Sequence, residues 1–200
     1  LNALRATVSF SSGAGSVSAS LSTTGEHLPA LVELVLHLLR DADFPQEELD
    51  EFKRQSNTAI SNAMAEPEAL AARALARHAN PWPQDDIRYV PTFQESLDNV
   101  AALDRASLQR FHREFYGAGD IYFTAVGSFD PDAIRSALTN GVQGWKPAPA
   151  YTRVPDPWHP VEPEQFHIRT PGKANAFYIS AMPVEIRDTD PRFPALYLAN

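Results

Sequence analysis

Apolar positions along the chain change their period several times. Residues 4–10 (LRATVSF) and 16–22 (SVSASLS) are rich in β-branched residues and serine, and in the second run Val17, Ala19 and Leu21 alternate with Ser16, Ser18 and Ser20. A period of two is that of a half-buried strand. The small residues between, Ser11-Ser12-Gly13-Ala14-Gly15, predict a hairpin turn. From Thr23-Thr24-Gly25-Glu26 the period lengthens. Leu28, Leu31, Val32, Val35 and Leu39 recur at helical spacing, and Leu34, Leu36 and Leu38 widen the stripe, so this helix should be covered on more than one side. The segment Asp41-Ala42-Asp43-Phe44-Pro45 ends it, because proline disfavours a helical residue before it. Pro45 suits the first turn of a second helix over residues 46–65, with Glu47 and Glu48 near its positive end. The apolar positions there, Leu49, Phe52, Ala59, Ile60 and Ala63, are sparse. An alanine-rich third helix follows Glu66-Pro67-Glu68 and runs over 69–79.

Asn80-Pro81-Trp82-Pro83 is a rigid break, and a polar loop follows through Asp85-Asp86-Ile87-Arg88-Tyr89. A short helix is expected near 93–99. Asp104 is the expected N-cap of the next helix, in which Leu108, Phe111 and Phe115 share a face and which Gly117 and Gly119 end. Residues 120–127 (DIYFTAVG) read as a strand. Ser128-Phe129-Asp130-Pro131 reads as a turn and cap, with Pro131 in the first helical position and the helix continuing over 133–138. The order strand, strand, several helices, strand, helix predicts an α+β class, helices packed on a mostly antiparallel sheet. Six prolines between Pro147 and Pro163 predict an extended, semi-rigid linker. Beyond it, 165–169 and 175–182 read as two strands and 191–200 as a helix. The expected organisation is one domain over 1–140, a linker over 141–160 and the start of a second domain over 161–200. Both ends of the chain read as cut from something longer.

Composition narrows the function classes. At 200 residues and 44% hydrophobic the chain can build a core. Its net charge of -8 and the lack of a dense Lys/Arg cluster argue against a nucleic-acid partner. There is no cysteine, which removes disulfides, thiolate metal sites and cysteine nucleophiles. The longest apolar run, near 28–39, is interrupted by Glu33 and His37 and is too short for a membrane span.

Several stretches together resemble one family. They are residues 43–49 (DFPQEEL), 66–71 (EPEALA), Leu103-Asp104 through Phe111 to Phe115-Tyr116-Gly117, 125–131 (AVGSFDP) and Gly144-Trp145. Their succession resembles the back portion of a domain of the pitrilysin/insulinase family of zinc metallopeptidases, and 170–176 (TPGKANA) resembles the start of the next domain in bacterial zinc proteases of that family. The resemblance implies tandem α+β domains of the metallopeptidase (LuxS/MPP-like) type. It implies two halves closing over a peptide chamber, with zinc in the N-terminal half only. The chain then corresponds to the non-catalytic C-terminal half: a third domain without its first strands, and the start of a fourth. The implied partners are the zinc-bearing half of the same protein and a peptide substrate. The implied setting is exported or periplasmic.

The family's catalytic motif, His-x-x-Glu-His on a helix, places two imidazoles on one zinc ion and a carboxylate against water. It is absent here. His159-Pro160-Val161-Glu162 begins it, but Pro163 takes the second histidine's position. In the helix over 46–65, Glu47, Glu48, Asp50 and Glu51 give way to Lys53, Arg54, Gln55, Ser56 and Asn57, so the downstream glutamate of active domains is missing. No catalytic residue, metal ligand or cofactor is assigned to this chain; zinc is expected only in the absent half. Glu33 and His37, four apart, read as a solvated pair. His112 and Glu114 do not face each other, and His27, His78 and His167 lack ligand spacing. The candidate substrate or partner contacts are Trp82, Arg88 and Tyr89 in the polar-aromatic loop, with Lys173 and Asn175 at a strand entry. A rigid surface connection anchored by Trp82 explains the same loop without function. Three functions remain open: the chamber half of a zinc endopeptidase, an assembly module of the same fold with no peptidase partner, and a truncated active peptidase. Exposed apolar surface is expected where strands are missing, with homodimerisation through it.

Overall fold

Residues 1–13 and 15–199 are described in the computed structural model of the chain. Among them are one antiparallel hairpin, β1 (Thr7–Gly13) with β2 (Ser16–Ser22), and seven α-helices. The helices are α1 (Leu28–Arg40), α2 (Gln46–Ala63), α3 (Pro67–Ala79), α4 (Phe93–Ala102), α5 (Arg105–Phe115), α6 (Pro131–Val142) and α7 (Phe193–Ala199). The chain divides into two units: Leu1–Leu49 with Leu103–Pro155, and Asp50–Ala102 with Asp156–Asn200. The division falls within α2, after Leu49.

In the first unit the hairpin register runs from Thr7 opposite Ser22 to Gly13 opposite Ser16. Gly15 lies at φ +78°, a conformation glycine adopts without steric cost. Ala14 of the expected turn lies outside the described residues. β1 begins three residues later than the alternation suggests, because residues 2–4 close a 3-10 turn in which the Arg5 N–H donates to the Asn2 carbonyl. Burial on β2 is graded: Ala19 and Leu21 are half-buried, whereas Val17 is exposed.

The core forms where α1 meets α6. Val32 and Leu36 from α1 pack with Ile134 and Ala137 from α6, and Leu21 of β2, Leu28, Phe129, Leu138, Val142 and Trp145 pack around them. Burying a Val, Leu or Ile side chain contributes about 1.5–3 kcal/mol. These few contacts are therefore the main apolar stabilisation of the unit. Local chemistry fixes the helix starts. The Asp130 carboxylate accepts from the N–H of Asp132 at 2.9 Å and of Ala133 at 3.3 Å. At α5 the Asp104 carboxylate accepts from the Ser107 N–H at 2.6 Å, and the Ser107 hydroxyl accepts from the Asp104 N–H at 3.3 Å. These are the caps expected from sequence. α5 is tied back by Arg105, which donates to the Asp43 carbonyl at 3.1 Å, and by His112 Nε2, 2.7 Å from the Leu39 carbonyl.

In the second unit α3 and α4 are joined by the loop over 80–92, and residues 156–192 carry no helix or strand. The helices match the apolar periods to within a few residues. The expected helix over 191–200 is α7, and Asn200 lies outside the described residues. The three later strands are a different matter. Residues 120–127, 165–169 and 175–182 carry no strand, and Tyr122, Val126, Tyr178 and Met182 are largely exposed. A strand has no internal hydrogen bonds; it exists only against a neighbouring backbone, and no described segment pairs with these three. The expected class, helices with an antiparallel sheet, stands, with the sheet reduced to one hairpin among the described residues. No helix among them is long and apolar enough to cross a membrane.

Gly141 of α6 lies where α1 approaches most closely: a Cβ there would collide with the Leu36 side chain, whose own Cβ would stand 3.1 Å away. Gly141→Val should therefore overpack the α1–α6 contact and cost about 1–3 kcal/mol. Chemical denaturation followed by circular dichroism tests this; an unchanged midpoint would remove the close approach as a constraint.

Candidate functional site

The loop after α3 is built by short-range hydrogen bonds. Two prolines flank Trp82, and a turn closes as the Asp86 N–H donates to the Pro83 carbonyl at 2.9 Å. The Asp86 carboxylate then grips Arg88. It accepts from the Arg88 backbone N–H and Nε at 2.8 Å each and from Nη2 at 2.6 Å. That grip lays the guanidinium over the Trp82 ring, 3.4 Å from its centroid, a cation–π contact. The Trp82 indole N–H is buried without a hydrogen-bond partner among the described residues.

Tyr89 belongs to a second cluster. Its hydroxyl donates to the Glu95 carboxylate, with both oxygens at 2.9 Å, and accepts from Arg77 at 3.2 Å. Arg77 also lies over the Tyr89 ring at 5.3 Å, donates to the Val90 carbonyl and stands 3.7 Å from Glu95 Oε2. Glu95 accepts from the Thr92 N–H at 2.7 Å, and Thr92 Oγ1 accepts from the Glu95 N–H at 3.1 Å, a capping box at the start of α4. The Thr92 N–H, then the Tyr89 hydroxyl, hold the Glu95 carboxyl below its ordinary range.

Trp82, Arg88 and Tyr89 thus stand on one loop; Arg88 is engaged within it by Asp86, and the Tyr89 hydroxyl is engaged by Glu95 of α4 and Arg77 of α3. Lys173 is elsewhere: its Nζ lies 2.7 Å from Glu66 Oε1, at the opposite end of α3. A 13-residue helix is about 20 Å long, so Lys173 does not join the aromatic loop. Asn175 is exposed two residues further on. Of the five candidates, three therefore share one loop, with Trp82 and Arg88 in contact and Tyr89 in a neighbouring cluster, and two lie elsewhere.

The structure also engages residues that the sequence left aside. His78 and His159 both bridge the end of α3 to the proline-rich segment. The Asp86-x-Arg88 and Thr92-x-x-Glu95 spacings were readable as local capping chemistry. The two histidine bridges have no local signal. His37 pairs with Asp41 at 2.8 Å, on the same exposed helix end, and not with Glu33. Among the described residues no three His, Asp or Glu side chains gather as a metal site requires.

The Arg88 guanidinium, then its backbone N–H, hold the Asp86 carboxyl down from an ordinary 3.8 to about 2. A depressed carboxyl stabilises the fold above its unfolded pKa and loses that contribution as pH falls through the folded value. The loop should therefore keep its form down to about pH 4 and open between about 4 and 2. The Trp82 indole proton resonance reports this: its shift should move only in that acid window, and in Asp86→Asn it should be displaced already at neutral pH. An indole resonance indifferent to Asp86→Asn would refute the coupling.

Residues 102–200 match the family described as the Peptidase M16 inactive domain. No curated protein and no solved structure matches the chain. The matched half includes the Asp104-capped helix, the Asp130-capped helix and the segment carrying Lys173, which are stretches on which the resemblance rests. Residues 102–200 thus belong to the peptidase M16 (pitrilysin/insulinase) family, as its inactive domain.

Proposed function

We propose that this chain is the part of a zinc metalloendopeptidase that packs against the zinc-bearing N-terminal half and helps to enclose and bind the peptide substrate. The observation that carries the reading is the inactive-domain match over 102–200. Surface chemistry supports it. Large apolar side chains are exposed in segments of strand composition: Ile121, Tyr122, Phe123 and Val126 in one unit, and Phe177, Tyr178, Ile179 and Met182 in the other. Such surface calls for cover by further protein. Strand-like backbone, unpaired here, also suits the addition of a peptide or partner strand, in which main-chain hydrogen bonds supply affinity. On this reading residues 1–140 form one peptidase-like domain, 141–160 a linker and 161–200 the start of the next, and Trp82, Arg88, Tyr89, Lys173 and Asn175 face partner or substrate.

A second reading is an assembly module of the same fold with no peptidase partner. What favours it is the loop itself: Arg88 and Tyr89 direct their polar groups inward, to Asp86 and Glu95, as a purely structural connection would. Alone, the exposed strand-like surface should drive homodimerisation. Reconstitution separates the readings. The zinc-bearing half, prepared separately, should bind this chain and gain peptide turnover by at least about tenfold, on the scale of positioning effects. Binding without gain would defeat the role in enclosing substrate, and no binding would favour the assembly module. Metal content after dialysis against metal-free buffer should fall well below one zinc per chain. One full equivalent would instead point to a truncated active peptidase.

A further inference from the structure

His78 and His159 present the same unusual arrangement. Each ring has an acceptor at both nitrogens. For His78, Nε2 lies 2.7 Å from the Glu162 carbonyl oxygen and Nδ1 3.1 Å from Glu164 Oε2. For His159, Nε2 lies 3.1 Å from the Ala79 carbonyl oxygen and Nδ1 3.4 Å from that of Pro157. A carbonyl only accepts, and so does an ionised carboxylate. A neutral imidazole has one N–H, so it satisfies one of its two acceptors and turns a lone pair toward the other. An imidazolium donates to both.

We propose that His78 and His159 form a proton-operated latch that fastens the segment 156–169 onto the C-terminal end of α3 when their rings are protonated, and loosens it when they are neutral. The surroundings agree. Both rings stand at the negative end of α3, where positive charge is favoured. The Ala79 carbonyl belongs to the last turn, which has no partner within the helix. Around His78 the groups are Glu164, the Glu162 backbone and the edge of Phe166, at 5.5 Å between centroids; its neighbour Arg77 is engaged with Tyr89, Val90 and Glu95. Around His159 stands the edge of Trp82, at 5.4 Å. Arg88, a cation on that same ring, is offset by Asp86 and by the charge of Asp156. The latched segment leads directly to Lys173 and Asn175, so the protons on two histidines would govern how that pair is presented. The inference concerns only contacts within the second unit and holds whatever the partner of the chain is.

Imidazoles change charge between about pH 5 and 8. Limited proteolysis within 156–169, normalised to the protease's rate on a short unstructured peptide at each pH, should show at least about tenfold more protection at the lower end of that range than at the upper. Cleavage within α4 should stay level. Glu164→Gln, an exposed change with little risk to folding, should reduce the pH dependence, and the pair His78→Gln with His159→Gln should abolish it. Equal protection of 156–169 at both ends in the natural chain would overturn the latch, as would a pH dependence that survives the double substitution. Should the double variant misfold, a pH dependence unchanged in Glu164→Gln would be the overturning result.

Discussion

A backbone that leaves water must find hydrogen-bond partners, and this chain satisfies that requirement almost entirely within helices. A helix supplies its own partners, so each stretch of helical period becomes one. A strand must borrow them. Among the described residues only β1 and β2 do so, as antiparallel neighbours close in sequence. The segments 120–127, 165–169 and 175–182 have strand composition but no paired strand among the described residues, and most of their aromatic and aliphatic side chains stay at the surface. The small core follows from the same constraint. α1 buries Val32 and Leu36 against α6 and also buries Leu31 and Val35, while its Leu38 remains half exposed at 50%.

How much was legible in the sequence depends on how far apart the interacting residues lie. Asp104 with Ser107, and Asp130 with the N–H groups following it, are three residues apart or fewer, and both caps could be placed from spacing alone. The stripe of α1 was legible for the same reason, down to Leu31, Val32 and Val35. The three later strands were not, since their composition states a preference but not a partner. Within the loop, the Asp86–Arg88 grip spans two residues and was within reach of a local reading. The bridges that organise the rest of the unit were not. His78 meets Glu162 across 84 positions, His159 meets Ala79 across 80, and Lys173 meets Glu66 across 107. No periodicity encodes such pairs. His78 therefore read as an isolated histidine, and Lys173 as a free contact.

The two units are consequently held by different physics. The first rests on apolar packing between α1 and α6, which is indifferent to pH and salt. In the second, residues 156–199 are fastened to α3 by the histidine bridges and by the Lys173–Glu66 pair, whose side chains are 34% and 54% exposed. Exposed ion pairs contribute about 0–1 kcal/mol each and weaken further in salt. Ordering a backbone residue costs about 1–2 kcal/mol, so these ties hold the segment with little margin. A protein surface that offered backbone groups to 175–182 and covered Tyr178 and Met182 would compete against weak, polar fastenings rather than a packed core. Fully burying one such large apolar side chain contributes about 1.5–3 kcal/mol, more than a single exposed pair does. The segment with the family's inactive-domain character is thus the part of the second unit that an apolar partner displaces most readily, while the capped helices α3 and α4 and the Asp86–Arg88–Trp82 loop keep their local bonds.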